Sequence, residues 1–183
     1  KSFHGSDAPG VILGGIMVQE CLERLPKDIL YDSISETRYC LPDAIQLVTP
    51  CTTGNGWLRV LDFGRFALCL FDKHTGEGFR VFVDAKKTAP WKEFHDWYFK
   101  RVPKKEQNKN LLLDESRKAG PQLLGVEPVK LKPRFIGKKS RGAMSVCPLC
   151  REGFPAIDGA FCRACQGETP YEGAGPEERV PAS

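Results

Sequence analysis

The sequence predicts an α+β protein, an antiparallel-sheet core domain with packed helices that is followed by a small module stapled by cysteines. Three observations carry this. Helical periodicity dominates up to Val48, then gives way to β-branched and aromatic runs between Trp57 and Val83, and returns after Trp91. From Met144 onward too few large apolar side chains remain to close a core. Two Cys-x-x-Cys pairs lie in that stretch, where a staple is needed.

Val11 to Leu25 follows Pro9-Gly10, carries Val11, Val18, Leu22 and Leu25 at helical spacing and stops at Pro26, so it reads as an amphipathic helix on a core. A shorter helix is expected from Pro42 to Val48, with proline in its first turn. Three strands follow, Trp57 to Leu61, Arg65 to Phe71 and Phe79 to Val83, the last two joined by a turn at Lys73–Gly78. They are expected to form the centre of the sheet. In the middle run Phe66, Leu68 and Leu70 alternate with Ala67, Cys69 and Phe71, so both faces are apolar and the strand is central. Helices over Trp91–Arg101 and Lys104–Lys118, split by Pro103, and a strand over Leu124–Lys132 complete the core. The aromatics Trp91, Phe94, Trp97, Tyr98 and Phe99 exceed what one helix face needs, which suggests a covering partner chain.

Four segments are expected: the core over 1–132, a basic linker over 133–144, the four-cysteine module over 145–170 and an acidic tail over 171–183. Net charge is +4, from 27 basic and 23 acidic residues, which does not mark a nucleic-acid-binding chain by composition. A binding-module reading rests on Lys130, Lys132, Arg134, Lys138, Lys139 and Arg141, but Glu168, Glu172, Glu177 and Glu178 offset that charge. Nucleic acid is therefore not the expected partner. No apolar run approaches the roughly 20 residues of a membrane helix, so a cytoplasmic protein is expected.

Cys147-Pro-Leu-Cys150, eleven intervening residues and Cys162-Arg-Ala-Cys165 give the strongest chemical signal. Two residues between cysteines bring both sulfurs to one cation, and two such knuckles build the tetrahedral four-thiolate shell that zinc prefers. A full shell leaves no position for water, so the ion is structural. Gly153 and Gly159 suit the turns of a treble-clef or zinc-ribbon module. The alternatives are free thiols, disulfides or an iron–sulfur cluster.

A second candidate site lies in the core. His4-Gly5-Ser6-Asp7-Ala8-Pro9-Gly10 leads into the first helix; Cys40-Leu-Pro-Asp43-Ala-Ile-Gln46 and Cys51-Thr52-Thr-Gly54-Asn-Gly56 bracket the second with thiols. Each residue also has an ordinary reading. Cys40 and Cys51 can be buried small hydrophobes, Asp43 a helix-start carboxylate, Gln46 a backbone partner. Cys21 and Cys69 read as core residues, and His74 and His95 as surface and packing residues.

These elements together resemble the E-component family of formylmethanofuran dehydrogenase, from His4 to Cys165. The resemblance implies an α+β core, a treble-clef-like zinc module, an intertwined homodimer and association with the subunits of a molybdenum or tungsten enzyme. It does not imply catalysis by this chain. In that family the opening loop reads His-Gly-His-x-Cys-Pro-Gly; here Ser6 and Ala8 stand for the second His and the Cys. The matching residues are His4, Cys40, Asp43, Gln46, Cys51 and Thr52, where a second metal ion or a small ligand is expected. The reading is a metal- or cofactor-handling accessory protein. The alternatives are a nucleic-acid or protein binding module and an independent redox or hydrolytic enzyme.

Overall fold

A computed structural model describes residues 2–137 and 142–172. It divides into two compact units, Lys1–Gly137 and Lys138–Ser183.

In the first unit, α1 spans Pro9–Leu22 and starts on the proline itself, whose missing N–H is no loss at a helix N-terminus. Its buried stripe, Gly10, Leu13, Gly14, Met17, Val18 and Cys21, recurs every three to four residues and lies on one face of the sheet. Helix α2 (Leu41–Val48) packs on α1 through glycine: a Cβ on Gly14 would meet the Ala44 Cβ at 2.5 Å. One on Gly10 would meet the Cys40 Sγ at 2.9 Å. These two glycines set the distance between the helices.

The strands are β1 (Tyr31–Ser35), β2 (Leu58–Val60), β3 (Ala67–Asp72), β4 (Glu77–Val83) and β5 (Leu124–Lys130), in the order β2-β1-β3-β4-β5. Strand β3 is central and buried on both faces, as its pattern predicts. Two expectations are corrected. The sheet is mixed, because β2 runs parallel to β1, and β1, a strand the sequence pattern does not announce, separates β2 from β3. It is hard to see in the sequence because it carries Asp32, Ser33 and Ser35 inward; the Ser33 hydroxyl donates to the Trp57 carbonyl and that of Ser35 to Thr37. At the other edge Pro128 has no N–H to give β4, so its register partner Phe79 sits in a non-bonded pair. An edge proline of this kind blunts further strand addition.

Helix α3 (Lys92–Tyr98) and helix α4 (Lys109–Ala119), the latter capped by the Asn108 side chain on the Leu111 N–H, are shorter than the sequence suggests. The aromatic cluster is covered within one chain: Phe94 is fully buried, Trp91, Trp97 and Tyr98 pack on the core, and only Phe99 is largely open. Contrary to expectation, these aromatics need no partner chain to cover them. Beyond β5 the chain does not leave the core at once. Pro133–Phe135 forms a 3-10 turn, Ile136 lies within 3 Å of where a Gly76 Cβ would stand, and the Arg59 guanidinium donates to the Gly137 carbonyl.

The second unit is built on an antiparallel pair, β6 (Met144–Val146) and β7 (Gly153–Pro155), followed by 3-10 turns at Ala156–Asp158 and Arg163–Gln166. Among its described residues only Cys147 and Phe154 are buried. Across the described residues no helix is long and apolar enough to cross a membrane.

Candidate metal centre and core site

The β6–β7 turn carries the first knuckle. Here the Cys147 N–H donates to the Glu152 carbonyl, the Arg151 N–H donates back to the Cys147 carbonyl, and Arg151 takes a left-handed φ of 65° that closes the turn. The second knuckle opens the turn at Arg163–Gln166, which ends on Gly167 in the left-handed region. Gln166 braces this turn by donating to the carbonyls of Asp158 and Phe161.

The Sγ atoms of Cys147, Cys150, Cys162 and Cys165 all lie within 4.8 Å of one another. Those of Cys150 and Cys162 are 3.6 Å apart. A tetrahedron with bonds near 2.3 Å has edges of about 3.8 Å, whereas a disulfide would need about 2.05 Å, so the geometry fits four thiolates on one zinc ion. The electrostatics agree. Burial works against ionising Cys147, but N–H donors from Cys150, Cys162 and Leu149 prevail and bring its thiol down to about 6. Burial and the neighbouring sulfurs push Cys165 up to about 12. At Cys150 the Glu152 N–H works downward, yet burial and the thiols of Cys147 and Cys162 raise it. One thiolate thus forms readily and opposes the others, a demand that a divalent cation meets.

The core residues fall at the two ends of α2. At its start, the His4 Nδ1 and the Asp43 Oδ2 are 2.5 Å apart across 39 positions of sequence. A carboxylate only accepts, so Nδ1 is the donor in this pair, and in the neutral tautomer that it selects Nε2 is the acceptor nitrogen. Cys40, one turn before Asp43, caps α2 with φ 56°, a rare conformation for a residue with a side chain, and its thiol is raised by burial and by the Asp43 charge. At the far end, Gln46 Oε1 accepts from the Thr53 N–H and hydroxyl, and the Thr52 hydroxyl accepts from the Asn55 N–H. Cys51 is fully buried, its thiol lies 3.6 Å from the Tyr31 carbonyl, and burial raises it. An eight-residue helix is about 12 Å long, so α2 holds Cys40 and Cys51 apart. Among the described residues the four knuckle thiols are the one group of three or more ligand atoms at mutual metal-binding reach.

The remaining candidates have structural roles. Cys21 donates to the Phe79 carbonyl and is pushed by burial up to about 12; Cys69 is raised by the same cause. His95 bonds to the buried Thr88 hydroxyl, and His74 is exposed. Lys130 pairs with Glu77, and Arg134 stacks on Phe135; Lys138, Lys139 and Arg141 lie outside the described residues, as do Glu177 and Glu178. A cleft of about 730 Å³, lined by Leu25, Ile29, Phe79 and Val129 with Arg24 and Lys130, contains none of the candidate metal or core-site residues. Nothing in the sequence pattern points to it.

An α+β core with a glycine-set helix pair and a separate four-thiolate module defines a two-part, treble-clef zinc protein. The chain belongs to the FmdE family: residues 3–132 match the family described as FmdE, molybdenum formylmethanofuran dehydrogenase operon, and residues 138–172 match the FmdE treble clef zinc finger. It is similar to a solved tungsten formylmethanofuran dehydrogenase FmdE-like protein from Syntrophus aciditrophicus, with 53% identity, coverage of 93% of this chain and 90% of that one, and a TM-score of 0.84. A probable S-adenosyl-L-methionine-binding protein of Archaeoglobus fulgidus is 30% identical over 180 residues, 90% of this chain and 46% of that protein. The chain spans about half the length of that curated relative.

Proposed function

We propose that this chain is a metal- or cofactor-handling accessory protein, in which the His4–Asp43–Cys40 end of α2 binds the ligand and the four-thiolate zinc is purely structural. The observation that carries this reading is the His4–Asp43 pair. The pair ties the opening loop to the start of α2, the end of the helix that also carries the partly exposed Cys40 thiol. A histidine whose other nitrogen donates to a carboxylate is the usual form of a metal-binding imidazole, and it serves equally to accept a hydrogen bond from an organic ligand. The names of the relatives, one an FmdE-like protein of a tungsten enzyme and one a probable S-adenosyl-L-methionine binder, support a cofactor-handling role. Partnership with a molybdenum or tungsten enzyme, and a homodimer, belong to the same proposal. For these, the exposed apolar side chains of Tyr39, Leu47 and Val48 around α2 supply surface in need of cover.

The test combines elemental analysis with calorimetry. Zinc should stand at one per chain in wild type and in His4→Ala alike. A second bound metal, or heat on titrating S-adenosyl-L-methionine, should be present in wild type and lost in His4→Ala and Asp43→Asn. Binding unchanged in both variants would overturn the core site. A light-scattering mass of 20.4 kDa, rather than twice that, would overturn the dimer.

A further inference from the structure

The net charge of +4 hides a concentration of charge. Between Phe99 and Lys109 the chain carries Lys100, Arg101, Lys104, Lys105 and Lys109 against Glu106 alone, a surplus equal to that of the whole molecule. All five cations are exposed, on the connection between α3 and α4. The connection is held in a defined shape. Helix α3 ends in a paired closure, the Lys100 N–H donating to the Trp97 carbonyl at 3.1 Å and the Arg101 N–H to the Asp96 carbonyl at 2.8 Å. The closure needs a left-handed residue, usually glycine, and Lys100 fills it at φ 54°. A 3-10 turn then presents Lys104 and Lys105 together, and Gln107 ties the connection by donating to the Val102 carbonyl.

Cations at a helix C-terminus are favourable in themselves, which accounts for Lys100 and Arg101. It does not account for Lys104, Lys105 and Lys109, which lie beyond the last turn of α3 and precede or open α4, where a positive charge is unfavourable to the dipole. Three other exposed cations of the described core, Lys92, Lys118 and Lys130, each sit beside a carboxylate.

We infer that the α3–α4 connection is a docking surface for an acidic polypeptide segment of a partner protein. Phe99, the aromatic next to it, is 44% exposed, and its ring also meets His95 at 4.6 Å, the edge of Tyr98 at 5.2 Å and the Arg101 guanidinium at 5.5 Å. A single ring engaged in this way is a poor platform for successive stacked bases, whereas point charges set along a connection of defined shape match carboxylates spaced along a peptide.

The experiment titrates a fluorescein-labelled twelve-residue oligoglutamate peptide and, separately, a single-stranded oligonucleotide of equal charge. Wild type is compared with Lys104→Glu/Lys105→Glu and with Lys27→Glu/Lys132→Glu, which changes the net charge equally at exposed sites elsewhere. Circular dichroism confirms folding of each. The expected result is a drop in peptide affinity of about tenfold or more in the first variant and less than about twofold in the second, with weakening by salt. Equal losses in the two variants would show a general charge effect and overturn the surface. Tighter binding of the oligonucleotide than of the peptide would overturn the choice of partner, and no measurable peptide binding by wild type would overturn both.

Discussion

Glu36 directly follows β1 and is almost fully buried, its carboxylate held by two guanidinium groups. Arg80 binds it with two parallel bonds of 2.7 and 2.9 Å, and Arg65 adds a third contact at 2.8 Å. Burial favours the neutral acid, but the Arg80 bonds and charge outweigh it, so the carboxyl titrates below its ordinary range. Arg80 also reaches Glu127 on the neighbouring strand, which makes the group a bridge from the β1 end to β5. Because the folded carboxyl is the stronger acid, its contribution to stability is complete above the unfolded value of about 4.3 and is lost as the pH falls through the folded value. Glu36→Gln should therefore destabilise the core at neutral pH by about 3 kcal/mol, since it leaves Arg80 and Arg65 short of a counter-charge. Urea unfolding from about pH 3 to 7 checks both parts. The variant should show a shallower decline toward acid than wild type, and parallel curves would mean that Glu36 is not the group responsible.

The two helices that carry the core site are spaced by glycine, and two adjacent glycines in α1 separate packing from propensity. A Cβ at Gly15 meets nothing within 4 Å, whereas one at Gly14 would stand 2.5 Å from the Ala44 Cβ. Gly15→Ala should stabilise the core by up to about 1 kcal/mol, the intrinsic gain of alanine in a helix. Gly14→Ala gains the same term but forces α2 outward, at about 1–3 kcal/mol of overpacking, so its net effect should be a loss. Thermal unfolding of the pair reads the difference; a gain at both positions would show that the α1–α2 seam is loose. The same seam explains what is legible in the sequence. The buried stripe of α1 and the two-faced β3 are patterns of apolar residues, and both are read from spacing alone. Strand β1 is hidden because its buried positions include the polar Asp32, Ser33 and Ser35, and the backbone group that accepts from Ser33, the Trp57 carbonyl, is remote in sequence. The knuckles are legible because two-residue spacing brings sulfurs together locally. The core candidates are only half legible: spacing can place Cys40 and Cys51 at opposite ends of α2, but only the fold ties His4 to Asp43.

The two units owe their stability to different sources, which sets the behaviour of the whole chain. The first buries a continuous cluster from α1, α2, α3, α4 and the sheet, including Leu13, Met17, Ile45, Leu70, Phe94 and Leu123. The second buries Cys147 and Phe154 among its described residues, so little holds it except the bonds its four thiolates make to zinc. Structural zinc contributes on the order of 10 kcal/mol in modules of this size, far more than one buried phenylalanine, for which about 3 kcal/mol is an upper expectation. Removing zinc should therefore unfold 142–172 and leave the core folded. The ligands must be deprotonated to bind, so acid should release the ion by protonating the cluster, and the module should unfold with it. Amide hydrogen exchange after treatment with a strong chelator is the measurement. Protection should vanish for Val146 to Gly167 while persisting in β3 and β4, and Cys147→Ser should give the same pattern without chelator. Uniform loss of protection along the chain would show that the core depends on the ion, and retained protection in the module would show that its protein contacts suffice.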